Sequence, residues 1–295
     1  MLHRFALALG VVALFAGTSA AQTTDEAPVK LEYAFEKDAV DFYKAKAAFK
    51  QKGGMGMKVN AELYLTQTGL APEATVGKVK QQVVRVGAKG QIFGQDQEYD
   101  TAKPGNEEAA GMLPGIAKSL LKTKTMSVKP NGEVTKSDTE GGKAGKSMVN
   151  KLLGFESLPF DVFRLPEKAV KVGDSWTHEK SGESEDQMTG KKKGWKLTYT
   201  YTLKRLIERD GETHASVAIK IDPKFDSLPG AMGGKVVRAM GKGVATFNVT
   251  KKRLRSINYT IKIEGEQSMG EGEPQKIYVS QSLNMRRTDK DESKD

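Results

Sequence analysis

Between Trp195 and Lys204 every second residue is large and apolar, and this run restricts the fold more than any other feature. Trp195, Leu197, Tyr199, Tyr201 and Leu203 share one side, while Lys196, Thr198, Thr200, Thr202 and Lys204 share the other. Side chains alternate across a strand, so a period of two marks a strand with one buried and one wet face. Asp210-Gly211 follows, and this dipeptide favours the positive-φ turn of a tight hairpin. The partner strand continues through Ala215, Val217, Ile219 and Ile221. The same alternation recurs at Leu31, Tyr33 and Phe35, and again at Val59, Ala61, Leu63 and Leu65. These segments predict a mainly β, antiparallel protein with strongly curved sheets or an open half-barrel.

Two or three short helices interrupt the pattern. Asn106 can cap a helix that opens with Glu107 and Glu108 and continues through Met112, Ile116, Leu120 and Leu121. Pro114 inside it predicts a kink or restart. A second helix is expected over 145–153. The chain also repeats an order of elements. Tyr99-Asp100-Thr101, Leu113-Pro114-Gly115 and the hairpin TMSVKPNGEVT (125–135) are matched by Phe225-Asp226-Ser227, Leu228-Pro229-Gly230 and ATFNVTKKRLRSI (245–257). A tandem duplication of one β unit would place a first half at 29–155 and a second at 156–288. A disordered leader (22–28) precedes them and a disordered tail (289–295) follows.

The N-terminus reads as a signal peptide, 1–21. His3 and Arg4 precede an apolar run from Phe5 to Ala16, and Ser19-Ala20-Ala21 before Gln22 offers a small-x-small cleavage site. The run is shorter than the roughly 20 residues that span a bilayer. The expected localisation is periplasmic or secreted, after cleavage near Ala21, with no transmembrane span. Net charge is +10. A basic exported chain meets anionic envelope polymers rather than nucleic acid. Its lysines are dispersed, and the runs Lys191-Lys192-Lys193 and Lys251-Lys252-Arg253 fall where turns are expected.

Chemistry-bearing motifs are few. There is no cysteine, which excludes disulfides, thiolate nucleophiles and cysteine-ligated metals. The segment 141–147 resembles a phosphate-binding loop, but the position that requires its first glycine is Glu140. His178 and His214 have no zinc-ligand spacing around them, and no serine sits in a nucleophile elbow. Met55 and Met57 suit flexible apolar filling better than copper ligation. No catalytic, cofactor-binding or metal-binding residue is assigned. Asp100 and Asp226 occupy matched places, where an aspartate closes an Asx turn or meets its counterpart at the junction of the halves.

The segment Leu165-Pro166-Glu167-Lys168-Ala169-Val170-Lys171-Val172-Gly173-Asp174-Ser175-Trp176 resembles the signature of a family of exported bacterial proteins, a domain of unknown function. The resemblance implies export and a β-rich fold and brings no activity or cofactor. Gly173 and Asp174 form its turn and Trp176 anchors the next strand. The favoured function is a non-enzymatic binding or carrier protein for a lipid or other amphipathic ligand. The alternatives are an envelope interaction protein whose basic surface meets anionic polysaccharide, lipopolysaccharide or a partner protein, and a hydrolase built on carboxylates.

Overall fold

The computed structural model describes residues 27–140, 158–185, 192–228, 234–268 and 273–294, apart from 54–55, 74–75, 93, 104, 106, 108–109, 112 and 161. The first half supplies β1 (Val40–Lys52), β2 (Met57–Glu73), β3 (Val76–Ile92), β4 (Gln95–Asp100), helix α1 (Leu113–Leu120), β5 (Thr123–Val128) and β6 (Val134–Thr139). The second supplies β7 (Ser175–Glu185), β8 (Lys192–Arg209), β9 (Glu212–Phe225), β10 (Lys235–Asn248), β11 (Arg253–Gln267) and β12 (Gln275–Thr288). All belong to one open antiparallel sheet of 12 strands, in the order β6-β5-β3-β2-β1-β12-β11-β10-β9-β8-β7, with β4 also on β3. Pairing of β1 with β12 joins the two halves into a single surface. At about 4.8 Å per strand the path is roughly 50 Å wide.

The alternation sorts every long strand onto two faces. One cross-strand row of the inner face runs Trp176, Tyr201, Ile219, Gly243 and Tyr259. It continues through Leu283, Ala47, Ala61, Ala88 and Tyr99, so it is apolar, aromatic or small across ten strands. The outer face of the same strands carries lysine, asparagine, serine and threonine. Gly243 and Gly90 mark where the sheet curls inward. A Cβ at Gly243 would lie 2.3 Å from the Asn258 carbonyl oxygen, and one at Gly90 would lie 2.0 Å from that of Lys58. Glycine inside a strand marks this kind of close backbone approach.

Three described segments lie on the inner face. Leu31–Phe35 crosses one end, where Tyr33 donates its backbone N–H to Pro130 and Ala34 donates to Lys252. Residues 158–165 cross the same end, and Gln67 Nε2 donates to the Leu158 carbonyl while Tyr201 Oη donates to that of Val162. Their rings interlock edge to face: Tyr33 with Phe160 at 5.3 Å, Tyr33 with Phe247 at 5.2 Å, and Phe163 with Tyr201 at 5.7 Å. Helix α1 packs on β3 and β4 with Leu113, Ala117 and Leu120 buried.

The hairpin turn at Asp210-Gly211 has both φ values positive, 54° and 73°. Some expectations fail for identifiable reasons. Leu31–Phe35 alternates because it is extended, yet it joins no strand ladder; its backbone bonds go to Pro130 and Lys252, and the bridge of Val29 to Val170 lies just before it. The first helix starts at Leu113 rather than near Glu107, so Pro114 sits in its first turn, where a missing N–H costs nothing. Leu121 lies beyond its end and is exposed. Within 289–295, Glu292–Lys294 form a 3-10 turn against the outer face. Arg85 Nη1 donates to the Ser293 carbonyl, and Lys44 pairs with Glu292 at 3.6 Å. The signal peptide, the helix over 145–153, the glycine-lysine segment 141–147 and Met55 lie outside the described residues. Among the described residues, no helix is long and apolar enough to cross a membrane.

Candidate functional site

Alternation gives the sheet two candidate surfaces. The inner one narrows its side chains on one side of the sheet. Between Leu283 and Tyr99 its row is Ala47, Ala61 and Ala88, with Ala45 beside them. Cores pack densely by filling such gaps with volume from the opposite layer. Among the described residues the opposite layer is the aromatic plug at one end and α1 at one edge. Ile261, Ile263, Ile219, Ile221 and Val279 extend the apolar wall away from the plug. This interior also disfavours charge. Burial, reinforced by neighbouring Tyr43 and Tyr201, pushes the Tyr33 phenol well above its ordinary pKa. Burial does the same to Tyr43 and Tyr201, so all three stay neutral.

The outer surface contains a trough of about 640 Å³. Two adjacent rows form it, each six strands wide. The first is Asn258, Asn284, Lys46, Glu62, Gly87 and Asp100. The second is Thr260, Ser282, Ala48, Asn60, Lys89 and Glu98. In the next row on the same face Tyr64 carries two cations, with Lys44 Nζ 4.7 Å and the Arg85 guanidinium carbon 5.4 Å from its ring centre.

The carboxylates of the trough are committed elsewhere. Arg85 grips Asp100 with two hydrogen bonds of 3.2 and 2.9 Å, and these hold its carboxyl below the ordinary range. Burial works against the charge on Glu62, but hydrogen bonds from Tyr64, Lys44 and Lys46 outweigh it and lower that pKa too. A hydrolytic pair needs one carboxyl raised so that it can donate a proton. Glu62 and Asp100 are both pushed the other way.

The residues singled out from sequence occupy separate places. Asp100 sits on β4 opposite Gly87 and also accepts the Ala102 N–H. Asp226 follows β9 and accepts the Gly194 N–H at 2.7 Å. Several strands separate them, so they share no site. Gly173 takes φ +97°, and Asp174 Oδ2 accepts the Lys171 N–H at 2.8 Å, which closes the turn into β7. Trp176 donates from Nε1 to the Arg164 carbonyl at 2.8 Å and stacks on Tyr201 at 5.6 Å, tying β7 to the plug. His178 stacks on Tyr199, and His214 is buried with Nε2 3.8 Å from Glu212. Among the described residues no three histidines or carboxylates converge on a metal position. Met126 is in the core, while Met240 is 49% exposed on the outer face, which removes it from any inner lining. Sequence reasoning missed the trough altogether, because only cross-strand register assembles it.

No protein-family model matches this chain, and no curated protein does. Among solved structures it is similar to one described as lipid–protein interactions in lipovitellin, at 12% identity and a TM-score of 0.48. That match covers 85% of this chain but 25% of the other, so the chain spans about a quarter of its length. It is also similar to DynF from the dynemicin biosynthesis pathway of Micromonospora chersina, at 9% identity and a TM-score of 0.20, over 96% of this chain and 92% of that one. Both scores lie below 0.5.

Proposed function

We propose that the processed chain is a non-enzymatic carrier of the cell envelope, and that it holds a lipid-like or amphipathic ligand against the inner face of its sheet. The supporting observation is the apolar row that crosses ten strands and shrinks to alanine over β1, β2 and β3. The face is buried in the folded chain, and each Å² of apolar surface kept from water contributes about 25 cal/mol. Among the described residues the protein supplies a plug, one helix of eight residues and no second sheet. An apolar ligand takes its place along Ala47, Ala61 and Ala88, whose small side chains are buried in the folded chain and leave it the most room. The open edges at β6 and β7 leave the sheet free to widen for loading.

Native mass spectrometry of the protein purified from an exporting host tests this reading. The expected result is a bound mass that denaturation releases, together with uptake of cis-parinaric acid by delipidated protein. A bare chain that also fails to take up cis-parinaric acid overturns it.

A further inference from the structure

We propose that the outer trough binds a segment of acidic polysaccharide, on the face opposite the carrier site and independently of it. Three features of the surface carry this assignment: its shape, its floor and its rim.

The shape is concave. The solvent face of an antiparallel sheet is ordinarily just wet, but here two adjacent rows line a trough of about 640 Å³. The floor mixes amides and hydroxyls: Asn60, Asn258, Asn284, Thr260 and Ser282. Each such group both donates and accepts, as sugar hydroxyls do. Ala48 and Gly87 keep the floor shallow enough for a ring to settle on it.

The rim is a band of lysines. Lys220, Lys242, Lys262, Lys50 and Lys58 lie on five of the six adjacent strands from β9 to β2. Among the described residues none of the five makes an ion pair. Lys50 stands directly opposite Lys58, and Lys242 directly opposite Lys220. Like charges placed opposite one another destabilise a sheet, so this arrangement opposes folding unless an anion lies across it. No carboxylate stands opposite Lys50, Lys58, Lys220 or Lys242, whose other cross-strand partners are Ser280, Gln91, Thr200 and Thr260; Glu62 and Asp100 are held by Lys44, Lys46 and Arg85, and Glu98 stands opposite Lys89. The occupant is therefore anionic as well as hydroxylated. Stacking platforms for nucleobases are missing from the described lining, where Tyr99 belongs to the inner face. A flat bilayer surface does not enter a trough.

Isothermal titration with polygalacturonate tests the proposal, with neutral dextran as the comparison. Wild-type protein is expected to bind polygalacturonate, more weakly at high salt, and not dextran. Lys50→Gln/Lys58→Gln should lose about tenfold or more in affinity. Ala48→Trp keeps the charge but fills the floor, and it should lose as much; Ser282→Trp repeats the test should the first variant fail to fold. Lys37→Gln/Lys168→Gln removes the same charge away from the trough and should change nothing. Equal losses in the two lysine pairs, or none in both tryptophan variants, overturn the site in favour of diffuse charge. Dextran binding as strong as polygalacturonate binding overturns the acidic assignment. Displacement of polygalacturonate by phosphatidylglycerol vesicles or single-stranded DNA, with tighter binding of either, overturns it in favour of that partner.

Discussion

Replacing Gly243 with alanine adds one methyl group at the point where β10 meets β11 most closely. Its Cβ would sit 2.3 Å from the Asn258 carbonyl oxygen, 2.6 Å from Tyr259 Cβ and 2.9 Å from Tyr259 Cα. These atoms belong to, or hang directly on, the backbone of a strand paired on both sides, so none can swing away. The two strands must separate, flattening the curl that makes the inner face concave. Overpacking of this kind costs about 1–3 kcal/mol, and each kcal/mol lowers Tm by about 2–4 °C for a domain of this size. Gly87 supplies an internal contrast. It too lies mid-strand, but an added Cβ would meet only Asp100 Oδ2 at 3.9 Å, an ordinary contact. Gly87→Ala should therefore gain about 0.5–1 kcal/mol, by restricting the unfolded chain. Thermal unfolding of both variants, followed by circular dichroism, should give shifts of opposite sign. A Gly243→Ala protein at least as stable as Gly87→Ala would refute the inward curl at β10.

Lys58→Gln should stabilise the ligand-free protein by about 0.2–1 kcal/mol, because it relieves the opposition to Lys50; urea unfolding should show the gain at low salt and its loss at high salt. Arg85→Gln should cost about 1–3 kcal/mol at neutral pH, since Asp100 loses both guanidinium hydrogen bonds. The Asp100 pKa is depressed in the folded protein, so the pair's contribution is present above the ordinary aspartate value of 3.8 and is lost as pH falls through the lower folded value. The difference between wild type and variant should close over that acid window, and a difference independent of pH would assign the loss to packing. Trp176→Phe should cost about 1–2 kcal/mol by orphaning the Arg164 carbonyl while keeping the stack on Tyr201, read as a lower Tm.

The strands were legible because their signal is local. Val59 to Leu65 and Trp195 to Leu203 alternate, and each buried set lies on the inner face. The turns at Asp210-Gly211 and Pro130-Asn131-Gly132 were legible for the same reason: positive φ demands particular residues, and Gly132 adopts φ +87°. Strand order was not legible. Nothing in the chain announces that β1, near its beginning, pairs with β12, near its end. Leu31–Phe35 misled because alternation records extension and burial, which a segment threaded under a sheet also has. The trough stayed hidden for a related reason. Lys50 and Lys58 look like two dispersed lysines in sequence, and only the β1–β2 register places them face to face.

The two proposed sites are built from the same strands, one residue out of phase. On β11, Tyr259, Ile261 and Ile263 face inward while Asn258, Thr260 and Lys262 face outward. On β1, Ala45, Ala47 and Phe49 face inward while Lys46, Ala48 and Lys50 face outward. A slip of one residue would exchange the faces along an entire strand, burying lysines and exposing isoleucines, so the register is held by burial on one side alone. The outer face is then free to vary, because its residues contribute little to the core. That freedom is what gives the outer pattern its meaning. Stability alone would scatter charges of both signs over such a face, yet like charges stand opposite each other at Lys50–Lys58 and again at Lys220–Lys242. A surface that folding leaves unconstrained, and that still opposes folding, is accounted for by what it binds.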